Sequence, residues 1–447
     1  MKRIGLYIFL YVITTGIIAS VFILAPQEAA EFPHLRAFII VFATILLTKY
    51  FVYMMIAPWH DVINKITASN REMHRTDPYT PRVSIIIPAW NEEVGILKTI
   101  KTILKSTYRN IEVVVVNDGS TDGSDQAMRK FIETYETVRP ESVKKIDLRY
   151  FYKENGGKGN ALNYGIEHSS GEIVMSIDAD CALTPETVGN FVKCFEDSRV
   201  MAAVGNVKIG NSETILGTVQ YLEFLFSFYF KKAESVMNTI YIIGGAAGAF
   251  RRKVFEEVGL YNHNNITEDI EFSVRIQDKG MRIVYASDAI VYTEGASSLA
   301  GLMKQRVRWK RGRFQTFRQH RHLFFSTNPA HNKILTWIML PLAIFGEVQL
   351  FLEIQFLAFL YVYSYLTNDF SSFISGILVV STMFFVQMFF DDNSTKNARF
   401  YVLAPIGWLL FYVSTLVEYN ALIKSVGGAV RGHKPVWQKW DRKGLPD

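Results

Sequence analysis

The stretch Ile173-Val-Met-Ser-Ile-Asp-Ala-Asp180 combines a short apolar run with two carboxylates separated by one alanine. Such a run is typical of a buried β-strand, and the two acids follow at its carboxyl end. Open α/β sheets bind ligands at the carboxyl ends of their strands, where Asp178 and Asp180 could hold a cation and phosphates. An ordinary polar turn would give the same pattern, so the stretch alone does not decide between the two interpretations.

Strands and helices alternate on both sides of this stretch, which indicates an α/β domain with a mostly parallel sheet. The predicted strands are residues 83–88, 111–116, 148–152 and 282–286, in addition to the opening stretch. The predicted helices are residues 92–106, 122–135, 160–168, 218–237 and 267–279. Residues 240–250 carry the small-residue cluster Gly244-Gly-Ala-Ala-Gly248.

Apolar runs flank the α/β region. Residues 4–25 and 37–57 predict an N-terminal transmembrane hairpin, although the first run alone could be a signal peptide. Residues 334–366, 373–390 and 400–426 predict C-terminal spans, and the first of these runs is a tilted helix, an interfacial piece plus a span, or a tight hairpin. The basic tail favours a cytosolic end, and therefore an even number of C-terminal spans, with four preferred over three.

This pattern predicts five regions. They are a transmembrane hairpin (1–58), a cytosolic catalytic domain (59–298), a basic interfacial helix region (299–333), C-terminal transmembrane helices (334–426) and a basic cytosolic tail (427–447). Basic residues before the first run and after the second place the catalytic domain in the cytosol of a multi-pass plasma-membrane protein.

Composition supports this division. The 447-residue chain has a net charge of +6, is 49% hydrophobic, and has two cysteines, which imply no disulfide framework. The positive excess lies beside the apolar runs, where it suits anionic lipid headgroups. We therefore expect the lipid bilayer as a partner and no nucleic acid.

Several polar residues occur where a nucleotide-sugar site would need them. Asp118 follows a strand and could accept hydrogen bonds from a base or ribose, although an Asx turn or helix cap would look the same. Lys158 lies in the glycine-rich loop 154–159, ahead of a helix, where it could contact phosphate or base. Asp178 and Asp180 could bind Mg²⁺ or Mn²⁺ together with a diphosphate leaving group.

Two helical motifs complete the set. Asp269 in Thr267-Glu-Asp269 is either an ordinary acid in the first turn of a helix or the general base that deprotonates an acceptor hydroxyl. In Gln305-Arg-Val-Arg-Trp309, Gln305, Arg308 and Trp309 share one helix face. Arg308 could bind phosphate and Trp309 a sugar ring, or the helix could simply be basic, amphipathic and membrane-associated.

These motifs, with Pro88-Ala-Trp-Asn-Glu92 before them, occur in an order that resembles the processive family-two membrane β-glycosyltransferases. That group includes the cellulose, chitin, hyaluronan and poly-N-acetylglucosamine synthases, and the chain looks most like the bacterial poly-N-acetylglucosamine synthases. The resemblance covers residues 81–313 by motif. It implies a GT-A-like glycosyltransferase domain inserted between α-helical transmembrane segments.

The resemblance also implies roles. Glu92, Asp118, Lys158 and Asp178 would bind the nucleotide, Asp178 and Asp180 the metal, and Asp269 would be the catalytic base. The acceptor or diphosphate side would be lined by Gln305, Arg308, Trp309, Gly245 and Glu268.

The implied activity is that of an inverting, metal-dependent hexosyltransferase that uses a UDP-sugar, with UDP-N-acetylglucosamine as the preferred candidate. The enzyme would extend an exopolysaccharide of the biofilm type and translocate it across the membrane. A small accessory membrane subunit would be compatible with this. The alternatives are a transferase that glycosylates a lipid carrier once, a synthase of the glucan, hyaluronan or chitin type, and an inactive scaffold.

Overall fold

The computed structural model describes residues 33–74, 79–137, 146–391, 398–432 and 442–446, together with Val12 and Gly16. The chain divides into two compact units. One comprises Glu72–Phe224, Met237–Pro341 and Ala421–Asp447, and we call it the sheet unit. The other comprises Met1–Arg71, Leu225–Val236 and Leu342–Asn420, and we call it the helical unit.

The elements follow one another in the alternating order that the sequence predicts. In chain order they are α1 (Pro33–His74), β1 (Val83–Ala89), α2 (Ile96–Leu104), β2 (Ile111–Asp118), α3 (Ser124–Thr137), β3 (Asp147–Lys153), α4 (Lys158–Glu167), β4 (Ile173–Ser176), β5 (Cys181–Leu183), α5 (Thr187–Cys194), β6 (Val200–Ile209), α6 (Ile215–Met237), β7 (Gly248–Arg251), α7 (Arg252–Val258), α8 (Glu268–Asp278), β8 (Arg282–Thr293), α9 (Leu299–Gln319), α10 (Leu340–Thr367), α11 (Ser371–Phe390) and α12 (Gly407–Val430).

The strands form one eight-stranded sheet with the order β3-β2-β1-β4-β7-β6-β8-β5. Strands β1 to β4 pair in parallel, and so do β6 and β8. However, β7 is antiparallel to both of its neighbours, and β5 is antiparallel to β8. The sheet is therefore more mixed than strand–helix alternation predicts. Strand β5 follows β4 after a short loop without a crossover helix, and β7 is antiparallel to β6 although α6 connects them.

Register places the site residues along one edge of the sheet. Ala89 at the end of β1 lies opposite Asn117 near the end of β2, and Ile86 lies opposite Ser176 at the end of β4. Every residue of these three strands is buried, as expected when both faces of a parallel sheet are covered. The segments that carry Glu92, Asp118 and Asp178 therefore leave the sheet on the same side.

The opposite end of β2 carries a buried carboxylate. Glu112 accepts hydrogen bonds from the amides of Ser170 (2.6 Å) and Gly171 (3.0 Å) and from the Ser84 hydroxyl, and it pairs with Arg82 and Arg149. Burial on its own raises the pKa of Glu112, but the hydrogen bonds and the two arginines outweigh it and lower the pKa from 4.5 to about 2. The ionised form of Glu112 therefore stabilises the folded state.

We expect Glu112→Gln to lower the free energy of unfolding near neutral pH by roughly 2 to 3 kcal/mol. Because the pKa of the folded state lies below that of the unfolded chain, this stabilisation is present above about pH 4.5 and is lost as the pH falls towards 2. Thermal unfolding of the detergent-solubilised protein across that range measures it. Glu257→Gln, which removes an exposed i,i+4 partner of Lys253, is the matched control. Equal losses in the two variants would contradict the stabilising role of Glu112.

The helical unit is built from apolar helices. Ile39 of α1 packs with Phe356, Leu360 and Tyr363 of α10, and Lys232 pairs with Asp61 at 2.9 Å. Within the part of the chain that the structure describes, Leu335–Thr367 and Phe400–Val430 are long and apolar enough to cross a membrane. Gly376–Phe390 is a shorter apolar helix.

The predicted C-terminal run at residues 334–366 forms a π-helical turn, Leu335–Met339, that continues directly into α10. A tight hairpin within this run is therefore wrong. The predicted first span, residues 4–25, lies outside the described residues except for Val12 and Gly16, and so do residues 433–441 and 447 of the basic tail. Membrane crossing and the number of spans stay predictions.

Candidate active site

Two loops at the carboxyl edge of the sheet are joined by hydrogen bonds. The amide of Asn91 donates to the Ser120 hydroxyl, and the amide of Glu92 donates to the Ser124 hydroxyl, both at 2.9 Å. Asn91 has a positive φ of 55°, so the chain turns sharply after β1. Helix α2 consequently begins at Ile96 rather than at residue 92, which leaves Glu92 in the turn.

Asp118 organises the neighbouring glycine-rich loop. Its carboxylate pairs with Lys153 at 2.6 Å and accepts hydrogen bonds from the amides of Gly156 (3.0 Å) and Gly157 (2.7 Å). Gly157 has a φ of +87°, a conformation that favours glycine, and it immediately precedes α4. Asp118 therefore orders the loop that presents Lys158.

Lys158 lies at the centre of a cluster of acids. Its ammonium is 2.6 Å from Asp178 and 3.5 Å from Glu268. Burial alone lowers the pKa of Lys158, but the charges of Asp178, Glu268 and Asp269 outweigh it and raise the pKa above its usual value. Lys158 therefore carries a positive charge at physiological pH and joins the first turn of α4, the segment after β4 and the start of α8.

Asp269 is held in a fixed orientation at the start of α8. One of its carboxylate oxygens accepts from the Gly245 amide at 3.0 Å, and the other accepts from its neighbour Ile270 at 2.8 Å. Burial raises the pKa of the adjacent Glu268; Lys158 opposes this shift, Asp269 adds to it, and Arg308 opposes it. The structure thus brings Asp269 and Glu268 together with Lys158, Asp178, Gly245 and Arg308.

Asp180 is buried beside these groups, and its carboxylate contacts a cation. The guanidinium of Arg442 pairs with Asp180 Oδ2, and the Thr293 hydroxyl donates to the same oxygen at 3.5 Å. Burial, together with the charges of Asp180 and Asp178, raises the pKa of the Cys181 thiol well above its usual value, so this cysteine is a neutral thiol. Two aspartates and a hydroxyl are hard oxygen donors, and these residues fit a Mg²⁺ or Mn²⁺ ion.

The Gln305–Trp309 motif lies on α9. Gln305, Arg308 and Trp309 are all partly exposed, and Arg308 is the one whose charge acts on Glu268. Trp309 is covered on one face by the Arg306 guanidinium, 4.4 Å from the ring centroid, and Arg306 pairs with Glu223 at 2.9 Å. Arg306 therefore fixes the orientation of the predicted sugar-binding ring.

Helix α9 is tightly joined to the start of α8. A Cβ on Gly312 would lie 2.2 Å from the Thr267 hydroxyl, so only glycine permits this approach. Asn265 Nδ2 donates to the Thr316 hydroxyl and Gln315 Nε2 donates to the Asn264 carbonyl, each at 3.1 Å. The contact continues through His320, whose Nε2 lies 3.0 Å from Glu271.

Three residues of this region are not predicted from the sequence: Arg306, Arg442, and Glu294, whose carboxylate accepts hydrogen bonds from the Lys443 and Gly444 amides. Arg306 lies inside the Gln305–Trp309 motif, but it is not on the helix face that Gln305, Arg308 and Trp309 share. From sequence alone, Arg442 is one of several positive charges in the basic tail, which predict membrane topology rather than a site. Its place beside Asp180 depends on a contact between residues 262 positions apart, which local patterns do not encode.

Gly245→Ala tests whether the position of Lys158 matters. The new Cβ would lie 2.4 Å from Lys158 Nζ, the mobile end of a long side chain, so the ammonium is expected to move away from Asp178 while the fold persists. We expect turnover to fall roughly tenfold to a hundredfold, as displaced catalytic groups commonly cause. A turnover assay and the thermal midpoint measure the two effects.

Gly244→Ala is the matched control, because its Cβ would meet nothing within 4 Å. It should leave both turnover and thermal stability near the wild-type values. Equal losses in the two variants would show that the loop itself, rather than the displaced ammonium, is responsible.

Comparisons with known proteins identify what the chain is similar to. The family described as Glycosyl transferase family 2 matches residues 84–259, and that described as Glycosyl transferase family group 2 matches residues 173–388. A poly-β-1,6-N-acetyl-D-glucosamine synthase of Staphylococcus epidermidis is 27% identical over 374 residues, which cover 80% of this chain and 87% of the relative. The synthase of Staphylococcus aureus (strain COL) is 30% identical over 247 residues, which cover 55% of this chain and 57% of the relative.

Among solved structures, a mannosyltransferase from Pyrobaculum calidifontis, in complex with GDP-Man and Mn²⁺, aligns with a TM-score of 0.54 at 20% identity. The alignment covers 90% of this chain and 100% of the mannosyltransferase, which supports the GT-A-like fold. The chain is therefore a hexosyltransferase that matches two glycosyltransferase family-two models over parts of its length and is similar to the poly-β-1,6-N-acetyl-D-glucosamine synthases.

Proposed function

We propose that this glycosyltransferase uses UDP-N-acetylglucosamine to elongate a β-linked polysaccharide by an inverting, metal-dependent reaction. The observation that carries the proposal is the cluster of Lys158, Asp178, Glu268 and Asp269 beside Asp180 at the carboxyl edge of the sheet. The choice of sugar is supported by the names of the relatives, which are poly-β-1,6-N-acetyl-D-glucosamine synthases.

Asp269 acts as the general base in this proposal. It removes the proton from the acceptor hydroxyl as the hydroxyl oxygen attacks the anomeric carbon of the donor sugar. The bond from that carbon to the diphosphate oxygen breaks with its electron pair, and UDP leaves from the opposite side. The amides of Gly245 and Ile270 keep the carboxylate oriented for this proton transfer.

The remaining residues bind the donor and the leaving group. Asp180 and Asp178 would hold Mg²⁺ or Mn²⁺, which supplies charge neutralisation for the departing diphosphate. Lys158 and Arg308 place further positive charge beside the acids of the site, where a diphosphate would reside. Glu92 and Asp118, on the two loops joined by hydrogen bonds, would contact the nucleotide.

We further propose that the sheet unit faces the cytosol and that the helical unit passes the product across the plasma membrane. Two long apolar helices support membrane association, and the basic residues Lys65 and Arg71 after the predicted second span support a cytosolic sheet unit. Trp309 would stack on the acceptor sugar, with its ring fixed by Arg306.

A donor panel tests the proposal. Purified protein in vesicles is supplied with UDP-N-acetylglucosamine, UDP-glucose or UDP-glucuronate, and both UDP release and polymer length are measured. We expect UDP-N-acetylglucosamine to give UDP release together with a long product. A single lipid-linked sugar would contradict elongation, and preference for another donor would reassign the sugar.

A further inference from the structure

The C-terminal segment Arg442–Pro446 lies against the carboxylates of the candidate site. The Arg442 guanidinium contacts Asp180 Oδ2, and its Nε is 3.7 Å from Glu92 Oε1. The Arg442 side chain is 17% exposed, and the Asp180 side chain is 6% exposed. The carboxylate that we assign to the metal is therefore largely shielded from solvent when the segment is docked.

Hydrogen bonds also hold the backbone of this segment. Both carboxylate oxygens of the buried Glu294 accept hydrogen bonds, one from the Lys443 amide at 2.7 Å and one from the Gly444 amide at 3.0 Å. Gly444 has a φ of +83°, and a Cβ there would lie 2.9 Å from Val94. The geometry of the turn thus requires glycine.

The last residues of the segment make further contacts. The Lys98 ammonium donates to the carbonyls of Leu445 (3.0 Å) and Pro446, and the Leu445 side chain approaches Gly210 so closely that a Cβ there would lie 2.4 Å from it. The segment is accordingly held by residues from α2, from the β6 and β8 ends, and from the loops after β1 and β4. Its position is specific.

Charge explains why an arginine suits this position. Burial lowers the pKa of Arg442, but Asp180, Glu92, Glu294 and Asp178 outweigh it and raise the pKa. The Lys158 ammonium forms ion pairs with Asp178 and Glu268 instead. Arg442 is therefore the cation that neutralises Asp180, and a divalent ion on the same oxygen would occupy the same place.

We propose that Arg442 and the divalent metal ion compete for the Asp180 carboxylate, so that the docked segment Arg442–Pro446 is a closed state of the donor site. This inference rests on the assignment of Asp180 as a metal ligand in the proposed function. Metal binding releases the arginine from Asp180, and undocking strengthens metal binding by the same factor, because coupling between two binding events is reciprocal.

Direct measurement of Mn²⁺ affinity tests the competition. Free Mn²⁺ is quantified by electron paramagnetic resonance during titration of the full-length protein, without any donor. Coupling of ordinary strength predicts that Arg442→Gln binds Mn²⁺ at least about fivefold more tightly than wild type. Gly444→Ala, which changes no charge but disfavours the docked turn, should shift the affinity in the same direction.

Lys443→Gln is the matched control, because it removes the neighbouring positive charge while leaving the Lys443 amide bonded to Glu294. Its Mn²⁺ affinity should stay within about twofold of wild type. An unchanged or weaker affinity in both Arg442→Gln and Gly444→Ala would overturn the inference. Equal tightening by Lys443→Gln would also overturn it, because general charge would then explain the effect.

Hydrogen exchange gives a second readout. The amides of Lys443 and Gly444 should exchange slowly in the metal-free protein and faster by at least about tenfold with saturating Mn²⁺. Protection that Mn²⁺ does not change would overturn the proposed release.

Asp180→Asn separates this inference from the proposed function. Mn²⁺ binding that does not require Asp180 contradicts the metal assignment itself, for example if the separate cluster of Asp278, His320 and His322 holds the ion. Binding that requires Asp180 but ignores Arg442 removes only the competition.

Discussion

Asp269→Asn is expected to lower turnover by about a thousandfold, because asparagine cannot take the proton from the acceptor hydroxyl. Asparagine has nearly the same size as aspartate, and its carbonyl oxygen can still accept one of the two amide hydrogen bonds from Gly245 and Ile270. The fold and donor binding should therefore persist. UDP release measures turnover, and equilibrium binding of UDP measures the donor site.

Asp147→Asn is the control for this variant. Asp147 lies at the amino end of β3, at the edge of the sheet opposite the site, and its side chain is 48% exposed. The same chemical change there should alter turnover by less than about twofold. Wild-type turnover in Asp269→Asn would remove the base assignment, whereas loss of UDP binding would indicate that Asp269 supports the donor site instead.

Asp180→Asn is expected to weaken metal binding by at least about a hundredfold and to lower turnover to a similar extent at low metal concentration. The substitution replaces a charged oxygen donor by a neutral one and leaves the Arg442 guanidinium beside Glu92 without its main partner. Raising the Mn²⁺ concentration should restore part of the turnover. The metal titration is performed on variant and wild type side by side.

A chelator provides the complementary measurement. Wild-type turnover should disappear in excess chelator and return when Mg²⁺ or Mn²⁺ is restored. Full turnover in excess chelator would contradict the metal site, and a loss that added metal does not reverse in Asp180→Asn would point to misfolding. The thermal midpoint of Asp180→Asn distinguishes misfolding of the variant from loss of a metal ligand.

Much of the central sheet could be predicted from sequence, because apolar runs such as Val83–Ala89 and Ile111–Asp118 form strands buried on both faces. The same reasoning placed Asp178 and Asp180 after a strand, and parallel pairing then brings the ends of neighbouring strands together. Helix α2 shows the limit of this reasoning, since the turn at Asn91 delays its start to Ile96. That turn depends on hydrogen bonds from another loop.

The rest of the site depends on contacts that periodicity does not record. The antiparallel placement of β7 beside β4 brings the Gly245 loop towards Asp269, and nothing within Gly248–Arg251 indicates that direction. The pairing of Arg442 with Asp180 is similarly long-range. In both cases the energy comes from tertiary hydrogen bonds and charge, and not from local propensity.

The close approach of Gly312 to Thr267 has a mechanical consequence. No Cβ fits between the two residues, and side-chain hydrogen bonds join α8 and α9 along the same contact. Helix α9, which carries Arg308, and helix α8, which carries Asp269, should therefore move together as one rigid body. If the enzyme elongates a polysaccharide as proposed, the sugar chain is then not advanced by these two helices sliding past each other. In that case the movement would occur in the sugar chain or in the surrounding loops, while the distance between Asp269 and Arg308 stays constant.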